Sequence, residues 1–159
     1  MVQQMDSTII ARVLIEGDPH LSSKNYGAHR DYPKESLELY KATTDKAEEL
    51  KVTHIVSLGD FSYGRFNTLE YRAGVERELD RRNKITNNNH YTLKGNHDSA
   101  TYGWTELEYY VKKGLIKPAE NIQLGSLNVS MVDYGQHNKT QIIAPTEETI
   151  NVVLAHDFF

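Results

Sequence analysis

The sequence contains no cysteine. Disulfide bonds and thiolate metal sites are therefore excluded. A transition metal would have to use histidine, aspartate, glutamate or asparagine side chains, and the chain supplies 7 histidines and 22 acidic residues. The chain could therefore bind a metal ion through oxygen and imidazole nitrogen ligands.

Long apolar runs are also missing. The most apolar N-terminal stretch, residues 9–15, is short and is interrupted by Arg12. It is too short for a membrane span and lacks the form of a signal peptide. We therefore expect a cytoplasmic protein that has no membrane partner.

The chain has no excess of positive charge, since its formal net charge is −4. The basic residues between Arg77 and Lys84 alternate with acidic ones, which favours a solvated helix face. Nucleic acid is accordingly a less favoured partner than a small molecule.

The length and the order of the predicted elements indicate one α/β domain over residues 1–159. Strands are predicted at 8–15, 53–58 and 89–93, and helices at 34–50 and 68–82. This alternation is typical of βαβ units and predicts a parallel sheet. His90 lies inside the third strand, which favours a structural role for it.

The second half of the chain follows a different pattern. A short helix is predicted at 104–113, and strands follow at 121–124, 127–133, 141–143 and 149–154. Successive strands without helices between them predict a second, more antiparallel sheet.

Four short polar motifs occur at the predicted C-terminal ends of strands. They are Asp18-Pro19-His20, Gly59-Asp60, Gly95-Asn96-His97-Asp98, and His156. Ligands of parallel sheets gather at that edge. The first two motifs are weak alone, because each could be an ordinary turn. The third is specific, because an amide, an imidazole and a carboxylate in sequence have little structural reason to end a strand.

The ordered set of motifs resembles the calcineurin-like metallophosphoesterase family. The resemblance implies a four-layer α/β/β/α sandwich and a hydrolase that cleaves phosphomonoesters or phosphodiesters through a two-metal site. Two cations about 3.5–4 Å apart would stabilise the attacking and leaving oxygens of an in-line displacement. Manganese suits the mixed oxygen and imidazole ligands best, with iron, zinc or magnesium as alternatives.

The resemblance also implies a role for each matching residue. Asp18 and His20 would hold the first cation, Asp60 would bridge both, and Asn96 and His156 would hold the second. His97 would be an unliganded catalytic imidazole, and Asp98 would orient its ring.

Two further residues are candidates for binding a phosphate-ester small molecule or nucleotide. His29 follows the first motif and Arg65 follows the second. Each could instead be an ordinary surface residue, His29 in a solvated loop and Arg65 near the start of a helix. Tyr63 is a weaker candidate of the same kind.

One family motif, a final Gly-His-x-His, is missing. The resemblance therefore implies that the second sheet is incomplete toward the C-terminus and that its open edge could pair with a second copy or with a completing partner chain. The alternative to an active hydrolase is a catalytically impaired fragment or an interaction module.

Overall fold

A computed structural model describes residues 11–26, 31–99, 105–135 and 149–156 of the chain. The elements in chain order are β1 (Val13–Glu16), α1 (Tyr32–Glu49), β2 (His54–Ser57), α2 (Leu69–Thr86), β3 (His90–Thr92), α3 (Glu106–Lys112), β4 (Lys117–Pro118), β5 (Ile122–Leu124), β6 (Leu127–Val132) and β7 (Ile150–Ala155). No helix in the described ranges combines the length and the apolar character that crossing a membrane requires.

The first sheet is parallel throughout, in the order β1-β2-β3-β4. The predicted βαβ pattern is therefore confirmed. Strand β4 was not predicted, because a strand of two residues ending in Pro118 leaves no readable alternation. The predicted helix 34–50 begins slightly earlier, at Tyr32, with Pro33 in its first turn, where a missing amide hydrogen costs nothing.

Helices α1 and α2 pack against each other on one face of this sheet. The Thr68 side chain caps α2 by accepting a hydrogen bond from the Tyr71 amide, and Asn87 ends that helix in a left-handed conformation (φ 53°). Leu69, the first residue of this helix, is 85% exposed. The buried face instead runs through Tyr71 and Val75.

The second sheet has the order β5-β6-β7. Strands β5 and β6 are antiparallel, whereas β6 and β7 are parallel. The expectation of a mainly antiparallel sheet was thus wrong for β7. The chain between Val132 and Ile150 is long enough for the crossover that parallel strands need. The predicted strand 141–143 lies outside the described residues.

The two sheets share a core. Val56 and Tyr91 of the first sheet pack with Val129 and Met131 of the second. Alternate residues of the first sheet face the other way, and Ile55 contacts the helix layer. The described residues therefore form three layers, α/β/β, and the fourth layer of the expected sandwich is not among them.

A buried ion pair joins the end of β1 to α2. The Arg82 side chain is fully buried and donates a hydrogen bond to the Glu16 carboxylate, which also accepts one from the Ser57 hydroxyl. Further donations go to the Thr44 hydroxyl and the Tyr40 carbonyl. The expectation that this basic run is a solvated face was therefore wrong for Arg82.

His90, on β3, is a second buried ionisable residue. It is 1% exposed, and neither ring nitrogen has a hydrogen-bond partner among the described residues. Burial, and then the charge of Arg82, lower the pKa of His90 well below its usual value of 6.5. The structural role expected for this residue agrees with its position in the core.

Replacing Arg82 by Met should lower the free energy of unfolding by about 3–5 kcal/mol, because Glu16 would be left buried without its partner. Arg81→Met is the matched control. Arg81 is 30% exposed, and its ion pairs should contribute roughly 1 kcal/mol or less. Urea unfolding of both variants makes the comparison. Equal losses would contradict the assigned importance of the buried pair.

His90 should make stability depend on pH. Below about pH 6.5 the unfolded state binds a proton that the folded state does not, so the stabilisation present above that pH is lost as the pH falls. The slope should approach about 1.4 kcal/mol per pH unit. Unfolding measured between pH 5 and 8 should show a smaller slope in His90→Leu than in the wild type. Identical slopes would show that His90 is protonated in the folded protein.

Candidate metal centre

The four polar motifs meet at one edge of the structure. Asp18 and His20 follow β1, Asp60 follows β2, Asn96 follows β3, and His156 follows β7 of the second sheet. The C-terminal ends of parallel strands share one edge of a sheet, and this edge is where the sequence predicted that the motifs converge.

Asp60 stands at the centre of the cluster. Its Oδ2 atom lies 3.7 Å from His20 Nε2, 4.0 Å from His97 Nε2 and 3.6 Å from His156 Nε2. The Asp60 side chain is only 5% exposed. Three imidazole nitrogens therefore surround one buried carboxylate oxygen at separations longer than direct hydrogen bonds.

Asp18 is the most exposed carboxylate of the cluster and lies between His20 and His156. Its carboxylate oxygens lie 3.9 Å from His20 Nε2 and 3.8 Å from His156 Nδ1. The Asp18 side chain is 39% exposed, so it faces the cavity mouth.

The potential ligand atoms form two groups, within each of which they lie no more than 4.8 Å apart. One group contains His20, Asp60 and His97, and the other contains Asp18, Asp60 and His156. Asp60 is the member that the two groups share. His97 lies with His20 in the first group and Asp18 lies with His156 in the second, while Asn96 Oδ1 contacts His156 Nε2.

The orientation of His156 tests whether these residues suit a cation. Its Nδ1 lies 2.7 Å from the Leu58 carbonyl oxygen, to which a protonated Nδ1 donates a hydrogen bond. In that tautomer Nε2 carries a lone pair, yet it faces Asn96 Oδ1 at 3.1 Å as well as Asp60 Oδ2. A divalent cation suits this convergence of lone pairs.

The cluster opens into a cavity of about 370 Å³. It is lined by Asp18, His20, Leu58, Asp60, His97, Ala155 and His156. Arg65 is not among these residues and its side chain is exposed. His29 lies outside the described residues.

Asp60 and Asp98 connect the loops after β2 and β3 by reciprocal hydrogen bonds. Asp60 Oδ1 accepts a hydrogen bond of 2.8 Å from the His97 amide. Asp98 is fully buried and accepts hydrogen bonds from the amides of Phe61, Ser62 and Gly95. Burial raises the pKa of Asp98, and these amide donors oppose the rise.

The partners of Asp98 differ from the expected one. Among the described residues its hydrogen bonds run to backbone amides, and none reaches the His97 ring. A carboxylate inside the protein is best satisfied by several donors at once, and the backbone of the neighbouring loop supplies them. The sequence revealed a carboxylate beside an imidazole but not the direction in which it points.

Two of the potential ligands have unusual backbone conformations. His20 and Asp60 both have positive φ, at 43° and 45°, a region that costs a non-glycine residue about 1–3 kcal/mol. Hydrogen bonds between the two loops hold them there, including His20 N–H to the Asp60 carbonyl at 3.0 Å. Strain of this kind clusters at functional sites.

The feature that sequence reasoning underrated is Tyr63. Its ring centroid lies 4.8 Å from that of His97. Arg65, two residues later in the same loop, is exposed and does not line the cavity. The position of Tyr63, three residues after Asp60, was the available signal.

The close approach of the two loops requires glycine at position 95. A Cβ atom there would collide with both the Asp60 carboxylate and the Asp60 backbone nitrogen. At Gly17, on the loop after β1, an added Cβ would meet nothing within 4 Å. Gly17 is therefore a natural control position on the same edge of the sheet.

Gly95→Ala should lower the free energy of unfolding by about 1–3 kcal/mol, as overpacking usually does, and should displace Asp60. Gly17→Ala should have little effect. Thermal unfolding compares stability, and metal titration reports the position of Asp60. A Gly95→Ala variant as stable and as competent in metal binding as Gly17→Ala would show that the loops are not held this closely.

Comparison with known proteins agrees with this geometry. The family model described as calcineurin-like phosphoesterase matches residues 11–156, which include every motif of the cluster. Among curated proteins no significant match was found. Since the family match spans more than half of the sequence, the chain belongs to the calcineurin-like phosphoesterase family.

Proposed function

We propose that this protein is a metal-dependent phosphoesterase that hydrolyses phosphomonoesters or phosphodiesters in the cavity around Asp60. The family suggests metal-dependent hydrolysis of phosphate esters. The observation that carries the proposal is the position of Asp60 Oδ2, which three imidazole nitrogens surround and which both groups of potential ligands share.

The proposed ligands of two divalent ions are five side chains. They are Asp18, His20, Asp60, Asn96 and His156. Manganese is the first choice, and iron, zinc or magnesium are alternatives, because the set mixes carboxylate and amide oxygens with imidazole nitrogens. Bound ions would polarise the phosphoryl group and provide a nucleophile from water near neutral pH.

The chain's own residues would position the substrate and move a proton. Asp60 is fixed through Oδ1 by the His97 amide, so its Oδ2 is held toward the cavity. The His97 ring is 38% exposed and lines that cavity. It is placed to protonate a departing alkoxide or to stabilise charge on the phosphoryl oxygens.

Asp98 would act on His97 indirectly in this proposal. Its hydrogen bonds fix the loop that carries His97, through the Gly95 amide. Contact of Arg65 or His29 with the substrate remains a prediction. The substrate class is a phosphate-ester small molecule or a nucleotide, with nucleic acid less favoured.

Residues 1–159 would be a single cytoplasmic domain of the four-layer type. Strand β7 pairs with β6 on one side, and no other strand in the described ranges covers its second edge. Ile150 and Val153 on this strand are 65% and 48% exposed, which supports pairing with a second copy or a completing chain.

The outer edge of β7 also supports a second candidate function, that of an interaction module. A chain whose site is completed elsewhere would be an interaction module, or a catalytically impaired fragment with a weakly held ion. The two functions differ in metal content and in turnover, so one set of measurements separates them.

The first test combines metal analysis with turnover of p-nitrophenyl phosphate and its bis ester in Mn²⁺. A two-ion site predicts about two ions per chain after dialysis. Asp60→Asn should lower both the metal content and the rate. His97→Ala should keep the metal and slow turnover by about 10²–10⁴-fold, as loss of a general acid does.

His54→Ala is the matched control for the imidazole, because His54 begins β2 at the opposite end of the sheet. Asp80→Asn, at an exposed position on α2, is the control for the carboxylate. Both should behave like the wild type. Less than one ion per chain together with no turnover would overturn the hydrolase in favour of the interaction module.

A further inference from the structure

An exposed tyrosine stands directly beside the candidate catalytic imidazole. Tyr63 is 40% exposed, and its ring centroid lies 4.8 Å from that of His97 and 6.2 Å from that of His20. Both histidines line the cavity around Asp60. A large ring at this place is thus partly open to solvent and adjacent to where a phosphate ester would react.

Contacts with Tyr26 and Leu21 hold Tyr63 in position. The Tyr26 ring meets it edge-on, with centroids 4.5 Å apart and an interplanar angle of 82°, a favourable aromatic geometry. The Tyr26 hydroxyl donates a hydrogen bond of 3.1 Å to the Tyr63 carbonyl. The Tyr63 amide donates one of 2.9 Å to the Leu21 carbonyl. Ring and backbone are both fixed, so little ordering is needed when a ligand binds.

Aromatic contacts and hydrogen bonds also connect Tyr26 to the loop that carries His20. Tyr32 meets Tyr26 edge-on at 5.8 Å, and its hydroxyl donates a hydrogen bond of 3.0 Å to the His20 carbonyl. The three tyrosines, Tyr26, Tyr32 and Tyr63, form a continuous aromatic group, here called the tyrosine cluster. It connects the partly exposed ring of Tyr63 to the backbone of a candidate ligand, His20.

A second half-exposed tyrosine, Tyr134, lies near the cluster at His156 and allows the two positions to be compared by mutation. Tyr134 is 38% exposed, and its ring lies edge-on to His156 at 6.2 Å. His97, in contrast, is the group proposed to protonate the departing alkoxide. The alcohol part of a substrate must therefore leave next to His97, on the side of Tyr63 and not on the side of Tyr134.

The geometry points to Tyr63 as the stacking surface for the alcohol part of the substrate, which would be a nucleoside. The inference rests on the proposed phosphoesterase function and adds the substrate class to it. A nucleobase offers a flat π face to an aromatic ring, and such stacking tolerates any base. Tyr63 is thus a specificity residue, and the preference should be for nucleotides over sugar phosphates without a base.

The test compares adenosine 5′-monophosphate with methyl ribofuranoside 5-phosphate. The two esters share a primary alkoxide leaving group and differ in the base, so their ratio of kcat/KM reports stacking alone. Methyl diesters of both compounds replace them if the protein cleaves only diesters. Stacking predicts a ratio of about tenfold or more in the wild type.

Variants at Tyr63 then separate the ring face from the hydroxyl. Tyr63→Phe should keep the ratio, and Tyr63→Leu should reduce it to near one while the sugar phosphate is still hydrolysed. Tyr134→Leu is the matched control and should keep the ratio. Urea unfolding of each variant verifies that the fold is intact.

Three outcomes would overturn the inference without touching the proposed hydrolase. They are a wild-type ratio near one, loss of the ratio in Tyr134→Leu, and loss of activity in a folded Tyr63→Phe variant, which would assign the role to the phenol oxygen. Failure of the proposed function looks different, because neither compound nor p-nitrophenyl phosphate would then be hydrolysed.

Discussion

The reciprocal hydrogen bonding of Asp60 and Asp98 is the constraint on which the candidate site depends. Each carboxylate lies on one loop and accepts hydrogen bonds from amides of the other, Asp60 from His97 and Asp98 from Phe61 and Ser62. Buried carboxylates are costly without such donors. Once these bonds form, the second oxygen of Asp60 has a single position available, facing the imidazole rings.

The other side of the site depends on a different buried charge. Glu16 precedes the loop that carries Asp18, and its ion pair with Arg82 fixes the end of β1 to the helix layer. The Arg82 guanidinium also lies 3.6 Å from the centroid of the Tyr40 ring, a favourable cation–π distance. The helices therefore do more than cover the sheet, because they fix the starting point of a loop that supplies potential metal ligands.

Periodicity and motif order predicted the features that depend on local sequence. The βαβ alternation and the polar residues after β1, β2 and β3 could be read directly, because strand ends in a parallel sheet share an edge. Side-chain direction could not be read in this way. Asp98 stands next to His97 in sequence, yet it bonds to amides contributed by the preceding loop.

Long-range pairing was equally hidden. Arg82 is one of several charged residues on α2, and only the position of Glu16 on another element makes it a core residue. The parallel direction of β7 and the grouping of Asp18 with His156 depend on how the second sheet docks. No spacing within either segment encodes that docking, so sequence patterns located the potential ligands but not their partners.

The origin of His156 has a mechanical consequence. It is the only described member of the potential ligand set that follows a strand of the second sheet, whereas Asp18, Asp60 and Asn96 follow strands of the first. A cation held across this junction would join two layers whose shared core is apolar and includes Val56 and Val129. Ion occupancy and the cohesion of the two sheets would then be thermodynamically linked, each strengthening the other.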